Sequence, residues 1–169
     1  RGQIQRIGAW VLDRALAQLT AWDAAGVHVP HVAVNVSALE LRHGYADAVL
    51  AALRRHGVQP QRLEIEITES ALTANGTETI QLLEQLRERG VAISVDDFGV
   101  GYSSLGQLRR LPIDALKIDK SFVDDIHRNG ETAAIVAAIV AMAHALHLRI
   151  VAEGVEHAAQ LAKLETLGV

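Results

Sequence analysis

An α/β fold of parallel strands alternating with helices, a TIM-type β/α barrel left incomplete at about five strands, is what this chain predicts. Three observations predict it. Helix-like and strand-like stretches alternate five times along 169 residues. A helix-ending glycine is followed by valine at Gly26-Val27, Gly57-Val58, Gly90-Val91 and Gly168-Val169, each time leading towards a strand. Finally, the strand candidates carry polar side chains on one face, near their C-terminal ends.

The elements follow in order. Residues 3–25 place Ile4, Ile7, Val11, Ala15, Gln18 and Trp22 at helical spacing, with Trp10, Leu12, Leu16 and Leu19 widening the stripe, and Gly26 stops the helix. Residues 32–36 are β-branched and short, a strand. Ser37-Ala38-Leu39-Glu40 is a capping box expected to open a helix running to Gly57. Residues 63–67 form the second strand, and a helix over about 78–89 ends at Gly90. The third strand starts at Val91 and ends in Asp96-Asp97, followed by Phe98-Gly99-Val100-Gly101. A short helix over 103–109 leads to a fourth strand at 115–119, and a helical turn is expected over 121–126. An Ala-rich helix over 131–146, a fifth strand over 149–153 and a helix over 157–167 complete the chain. Val169 would lead into a sixth strand. The whole is read as a single domain over 1–169, with no linker or low-complexity segment.

Composition narrows the function. A chain that is half apolar and one-fifth charged reads as globular. Its net charge of −4 offers no basic stripe to a nucleic-acid backbone. With no cysteine, disulfides and thiolate metal sites are excluded. The most apolar run, 133–143, is far shorter than the roughly 20 residues of a membrane span. Residues 1–25 lack a signal peptide's apolar core. A cytoplasmic location with no membrane contact is therefore expected. Arg1 opens in mid-pattern, so the chain is expected to belong to a longer protein.

Strand alternation points to a site. One face reads Val32, Val34, Val36; Leu63, Ile65, Ile67; Ile93, Val95; Leu116, Ile118; Ile150, Ala152. The other reads Ala33, Asn35; Glu64, Glu66; Ser94, Asp96; Ala115, Lys117, Asp119; Val151, Glu153. Parallel sheets are normally apolar on both faces, so ionisable groups at strand ends need a compensating partner. The set Asn35, Glu66, Asp96, Asp97 and Glu153 offers hard oxygen ligands of the kind Mg²⁺ or Mn²⁺ prefers. Adjacent Asp96 and Asp97 suit a two-metal arrangement for phosphodiester hydrolysis, and Lys117 suits a catalytic water or a phosphate oxygen. For any single residue, an internal salt bridge is the alternative. As a set, repelling acids make a poor core without a cation. A barrel enzyme stabilising an enolate is a further alternative. Asp97-Phe98-Gly99 matches a kinase triplet, but no Gly-rich loop or catalytic-loop signature accompanies it. The eight histidines show no metal-ligand spacing.

Several blocks then carry a resemblance: Val34-Asn35-Val36-Ser37, Glu66-Ile67-Thr68-Glu69-Ser70, the run from Asp96-Asp97-Phe98-Gly99 through Tyr102-Ser103-Ser104-Leu105, Leu111-Pro112, Lys117-Ile118-Asp119, and Val151-Ala152-Glu153-Gly154-Val155-Glu156. In order and spacing, across essentially the whole chain, they resemble the bacterial EAL domain. The resemblance implies a β/α barrel that hydrolyses cyclic di-GMP to linear pGpG with Mg²⁺ or Mn²⁺ at a two-metal site. It implies that Asn35, Glu66 and Asp96 bind one metal, that Asp97 joins Asp96 around the second, and that Glu153 completes the cluster. Lys117 would contact the catalytic water, Glu69 would anchor the loop after Asp97, Glu156 would meet the guanine end of the ligand, and Asn35 would also bind substrate. It further implies a homodimer and fusion to sensor or other signalling domains. The Glu-Ala-Leu motif, expected upstream of Arg1, and the C-terminal Gln-containing segment are absent, and Val100 stands where the family usually has threonine. A catalytically inactive cyclic-di-GMP receptor is the second reading.

Overall fold

A computed structural model describes residues 2–74, 76–100 and 108–169. Five strands alternate with helices, and every assigned strand pair is parallel. Eight strands would be needed to close a barrel. The chain divides inside its third strand into two compact units, Arg1–Ile93 and Ser94–Val169.

The first unit begins with helix α1, Gln3–Ala24. Its buried face is Leu12, Leu16 and Leu19, spaced one helical turn apart and packed towards β1 and α2. The expected stripe through Ile7 and Val11 is not the buried one: Ile7 and Trp10 are 56% and 64% exposed. The helix is apolar around much of its girth, so periodicity alone fits two faces. Strand β1, Val32–Asn35, pairs in parallel with β2, Leu63–Thr68, in the register Val32↔Leu63 to Asn35↔Glu66.

The capping box at Ser37 does not open the following helix. Glu40 does accept the Ser37 N–H, at 3.0 Å, but the chain then turns, and helix α2 runs only over Tyr45–His56. It starts beyond Gly44, which holds a left-handed φ of 85° that continues no helix. A short helix α3, Glu69–Ala74, was not expected, and α4 covers Gly76–Glu88. The glycine–valine refrain is structural: Gly26, Gly57, Gly90 and Gly168 all have left-handed φ at helix ends.

The second unit carries most of β3, Ala92–Phe98, then β4, Ala115–Ile118, and β5, Arg149–Ala152, in that order in the sheet. The helix expected over 103–109 falls outside the described residues except for its last two positions. Helix α5, Lys120–Val123, is the expected helical turn. Helix α6, Gly130–Ala145, is capped by Asn129, whose side chain accepts from the Glu131 and Thr132 N–H groups. Helix α7, Ala158–Leu167, is opened by Gln160, whose Oε1 accepts the His157 N–H at 2.8 Å.

The face predicted to be apolar is buried at Val34, Ile65, Ile67, Ile93, Val95, Leu116 and Ile118. On β5 it is only half-buried, at Ile150 and Ala152. On the other face Glu64, Glu66, Ser94 and Lys117 are buried, which is where chemistry is to be sought.

Candidate functional site

Adjacent strand residues point to opposite faces, so Asp96 and Asp97 can serve one site only if the strand breaks its pleat. It does. Val95 pairs with Leu116 and Phe98 with Ile118, so three steps on β3 match two on β4, a bulge centred on the two acids. Asp97 takes the extra turn with φ 54°, a left-handed conformation that aspartate tolerates better than most side chains. Its N–H donates to Asp96 Oδ1 at 3.1 Å.

Within this second unit, carboxylate oxygens of Asp96, Asp97 and Glu153 all lie within 4.8 Å of one another. Lys117, buried on β4, places Nζ 3.2 Å from Asp96 Oδ1 and 2.5 Å from Glu153 Oε1. Burial pushes the Asp97 carboxyl up, and the charges of Asp96, Asp119 and Glu153 and a hydrogen bond with Asp119 push the same way. Asp119 moves down, chiefly because the Ser121 side chain and N–H donate to it. Asp119 is the one member of this cluster to which the sequence reading gave no role. The available signal was its place two residues after Lys117, on the same strand face.

Glu156 is engaged elsewhere in the unit: its Oε1 lies 2.5 Å from Lys120 Nζ, which holds the carboxyl below its ordinary value. The intervening turn is tight. Gly154 has φ 68°, and a β-carbon there would stand 2.5 Å from Lys120 Cγ. Lys120 therefore lies across the Gly154 backbone and reaches the acid beyond it.

In the first unit, Asn35 and Glu66 are partners in the β1–β2 register, which sets their side chains beside each other at the strand ends. Together with Ser37, Glu40, Thr68 and Ser70 they line a cleft of about 700 Å³. Asn35 is exposed and Glu66 buried. Glu69, also buried, opens α3 directly after β2.

Three carboxylates against one lysine leave the Asp96–Asp97–Glu153 cluster net negative, and all its donors are hard oxygens. That donor set fits a divalent cation of the Mg²⁺ or Mn²⁺ kind and does not discriminate between them.

Parallel strands alternating with helices define a β/α-barrel-type chain, and its second unit carries an acidic cluster with the donor set of a cation site. More specifically, the chain belongs to the EAL domain family, whose pattern matches residues 1–169. It is 48% identical over 168 residues to the bifunctional diguanylate cyclase/cyclic di-GMP phosphodiesterase MucR of Pseudomonas aeruginosa, covering 99% of this chain and 24% of that protein. It is 51% identical over 164 residues to the cyclic di-GMP phosphodiesterase NbdA of the same organism, covering 96% of this chain and 21% of NbdA. Among solved structures, the PaMucR phosphodiesterase in complex with c-di-GMP superposes with a TM-score of 0.91 at 48% identity, covering 99% of this chain and 68% of that one. The chain thus spans about a quarter or less of the length of these two curated relatives.

Proposed function

We propose that this chain is the phosphodiesterase domain of a bacterial signalling protein and hydrolyses cyclic di-GMP to linear pGpG with Mg²⁺ or Mn²⁺. The observation that carries the reading is the bulge that turns Asp96 and Asp97 towards Glu153 and Lys117. The similarity to phosphodiesterases of cyclic di-GMP supplies the substrate. In this reading Asn35, Glu66 and Asp96 would hold one cation, Asp97 would join Asp96 in holding the second, and Glu153 would complete the acidic set. Cations held there would supply a lowered pKa for water and an offset to the charge on the phosphate.

The chain's own groups do the rest. Lys117 carries its proton between Asp96 and Glu153 and donates a hydrogen bond to the attacking water, orienting the oxygen at phosphorus. Water adds across one phosphodiester: its oxygen bonds to phosphorus, the bond from phosphorus to the ribose 3′ oxygen breaks, and that oxygen gains a proton. Glu69 anchors the loop that follows Asp97. Glu156 meets the guanine end of the ligand by exchanging its contact with Lys120, and Asn35 is a further substrate-binding residue.

The substrate class supports a cytoplasmic location. The length of the relatives supports a place within a larger signalling protein, and the family resemblance supports a homodimer. Among the described residues no helix is long and apolar enough to cross a membrane. The test is metal-dependent turnover: EDTA abolishes pGpG formation, and added Mg²⁺ or Mn²⁺ restores it. Calorimetric binding of cyclic di-GMP with no turnover under any metal would replace the enzyme by a receptor.

A further inference from the structure

Gly8 lies in the interior of α1, where glycine is the poorest helix former apart from proline, so its presence asks for a reason. The reason is a carboxylate. A β-carbon at Gly8 would stand 1.5 Å from Glu40 Oε1 and 2.6 Å from its Cδ. Glu40 is only 8% exposed, an unusual setting for an acid. Its other oxygen accepts the Ser37 N–H at 3.0 Å, its one side-chain hydrogen bond among the described residues.

The position of that bond matters. The β1–β2 ladder reaches as far as Val36, whose N–H donates to Glu66 O at 2.8 Å. Ser37 supplies the next N–H along the chain, and Glu40 takes it. The chain on either side of Asn35 is therefore held by strand pairing up to Val36 and by Glu40 immediately after. Gly8, Glu40, Asn35 and Glu66 all line the same cleft.

We infer that Glu40 is a positioning residue for Asn35, and that Gly8 is the notch in α1 that admits it. Glu40 touches no reacting atom in this account; it fixes the turn from which Asn35 presents its amide oxygen. The inference rests on the reading of Asn35 as a cation ligand.

The test is Mn²⁺ binding to the full-length protein, followed by electron paramagnetic resonance without substrate, with melting curves in parallel. Glu40→Met keeps the side-chain volume and removes the acceptor, whereas Glu40→Gln keeps an acceptor oxygen. Glu40→Met is expected to weaken Mn²⁺ binding about 10-fold, the usual scale for groups that orient a ligand, and Glu40→Gln less than about 3-fold. Gly8→Ala, which displaces the carboxylate from the other side, is expected to match Glu40→Met. Met and Gln variants that bind alike would overturn the inference, as would a folded Gly8→Ala that binds as the parent does. Asn35→Ala separates the two layers. If it weakens binding while Glu40→Met and Gly8→Ala do not, only the positioning role falls. If it leaves binding unchanged, the ligand role of Asn35 falls and takes the inference with it.

Discussion

Asp97 combines a left-handed backbone with a carboxyl pushed towards protonation by burial and by neighbouring acids. These two properties separate under substitution. Asn tolerates the same conformation, so Asp97→Asn should keep stability within about 0.5 kcal/mol. Its turnover should nonetheless drop by roughly 100-fold or more, because an amide is a weaker ligand than a carboxylate for the cation assigned to this position. Asp97→Val adds a branched side chain where φ is 54° and should lose a further 1–2 kcal/mol or so of stability. Thermal unfolding of the two variants beside a turnover assay checks both. Equal melting temperatures for Asn and Val would mean that the bulge is not strained as described.

Helix α1 offers the clearest contrast at the scale of an element. Leu16 is fully buried, and Leu16→Ala should cost about 2–5 kcal/mol. Trp10, 64% exposed, should tolerate Trp10→Ser within about 0.5 kcal/mol. Denaturant titration of the two variants decides which face of the helix is the core face. The same helix is tied to α2 by Asp13, whose carboxylate accepts from His56 at 2.8 Å and from Arg55 at 2.6 Å. Those bonds, His56 first, hold the Asp13 carboxyl below its ordinary 3.8. A depressed folded value stabilises above the unfolded value and is lost as the pH falls through the folded one. The parent should therefore melt above Asp13→Asn at pH 6, and the gap should close towards a pH of about 2. A gap that persists at the acid end would rule the carboxylate out as its cause.

For the whole molecule, strand parity carried much of what was legible. Apolar residues at every second position marked the core face, and their polar alternates marked Glu66, Asp96, Lys117 and Glu153 before any coordinates. Parity also hid the central feature. It assigns Asp96 and Asp97 to opposite faces, and only the bulge against Leu116–Ile118 brings both to one cluster. A bulge is a property of two paired strands, so no single stretch announces it. The influence of Asp119 on the Asp97 carboxyl, and the packing of Glu40 on Gly8, were hidden for the same reason: each joins residues distant along the chain. The face of α1 was misjudged because a helix apolar on two sides needs its neighbours to choose between them. The capping box at Ser37 was half legible: its hydrogen bond forms, but Gly44 delays the helix.

The central claim is that these acids hydrolyse cyclic di-GMP. Its most direct test is chromatography of the products formed by the full-length protein with Mn²⁺, with the Glu66→Gln variant alongside. The account predicts pGpG from the parent and a loss of at least about 100-fold in the variant. Intact cyclic di-GMP after prolonged incubation, or equal rates for parent and variant, would contradict it.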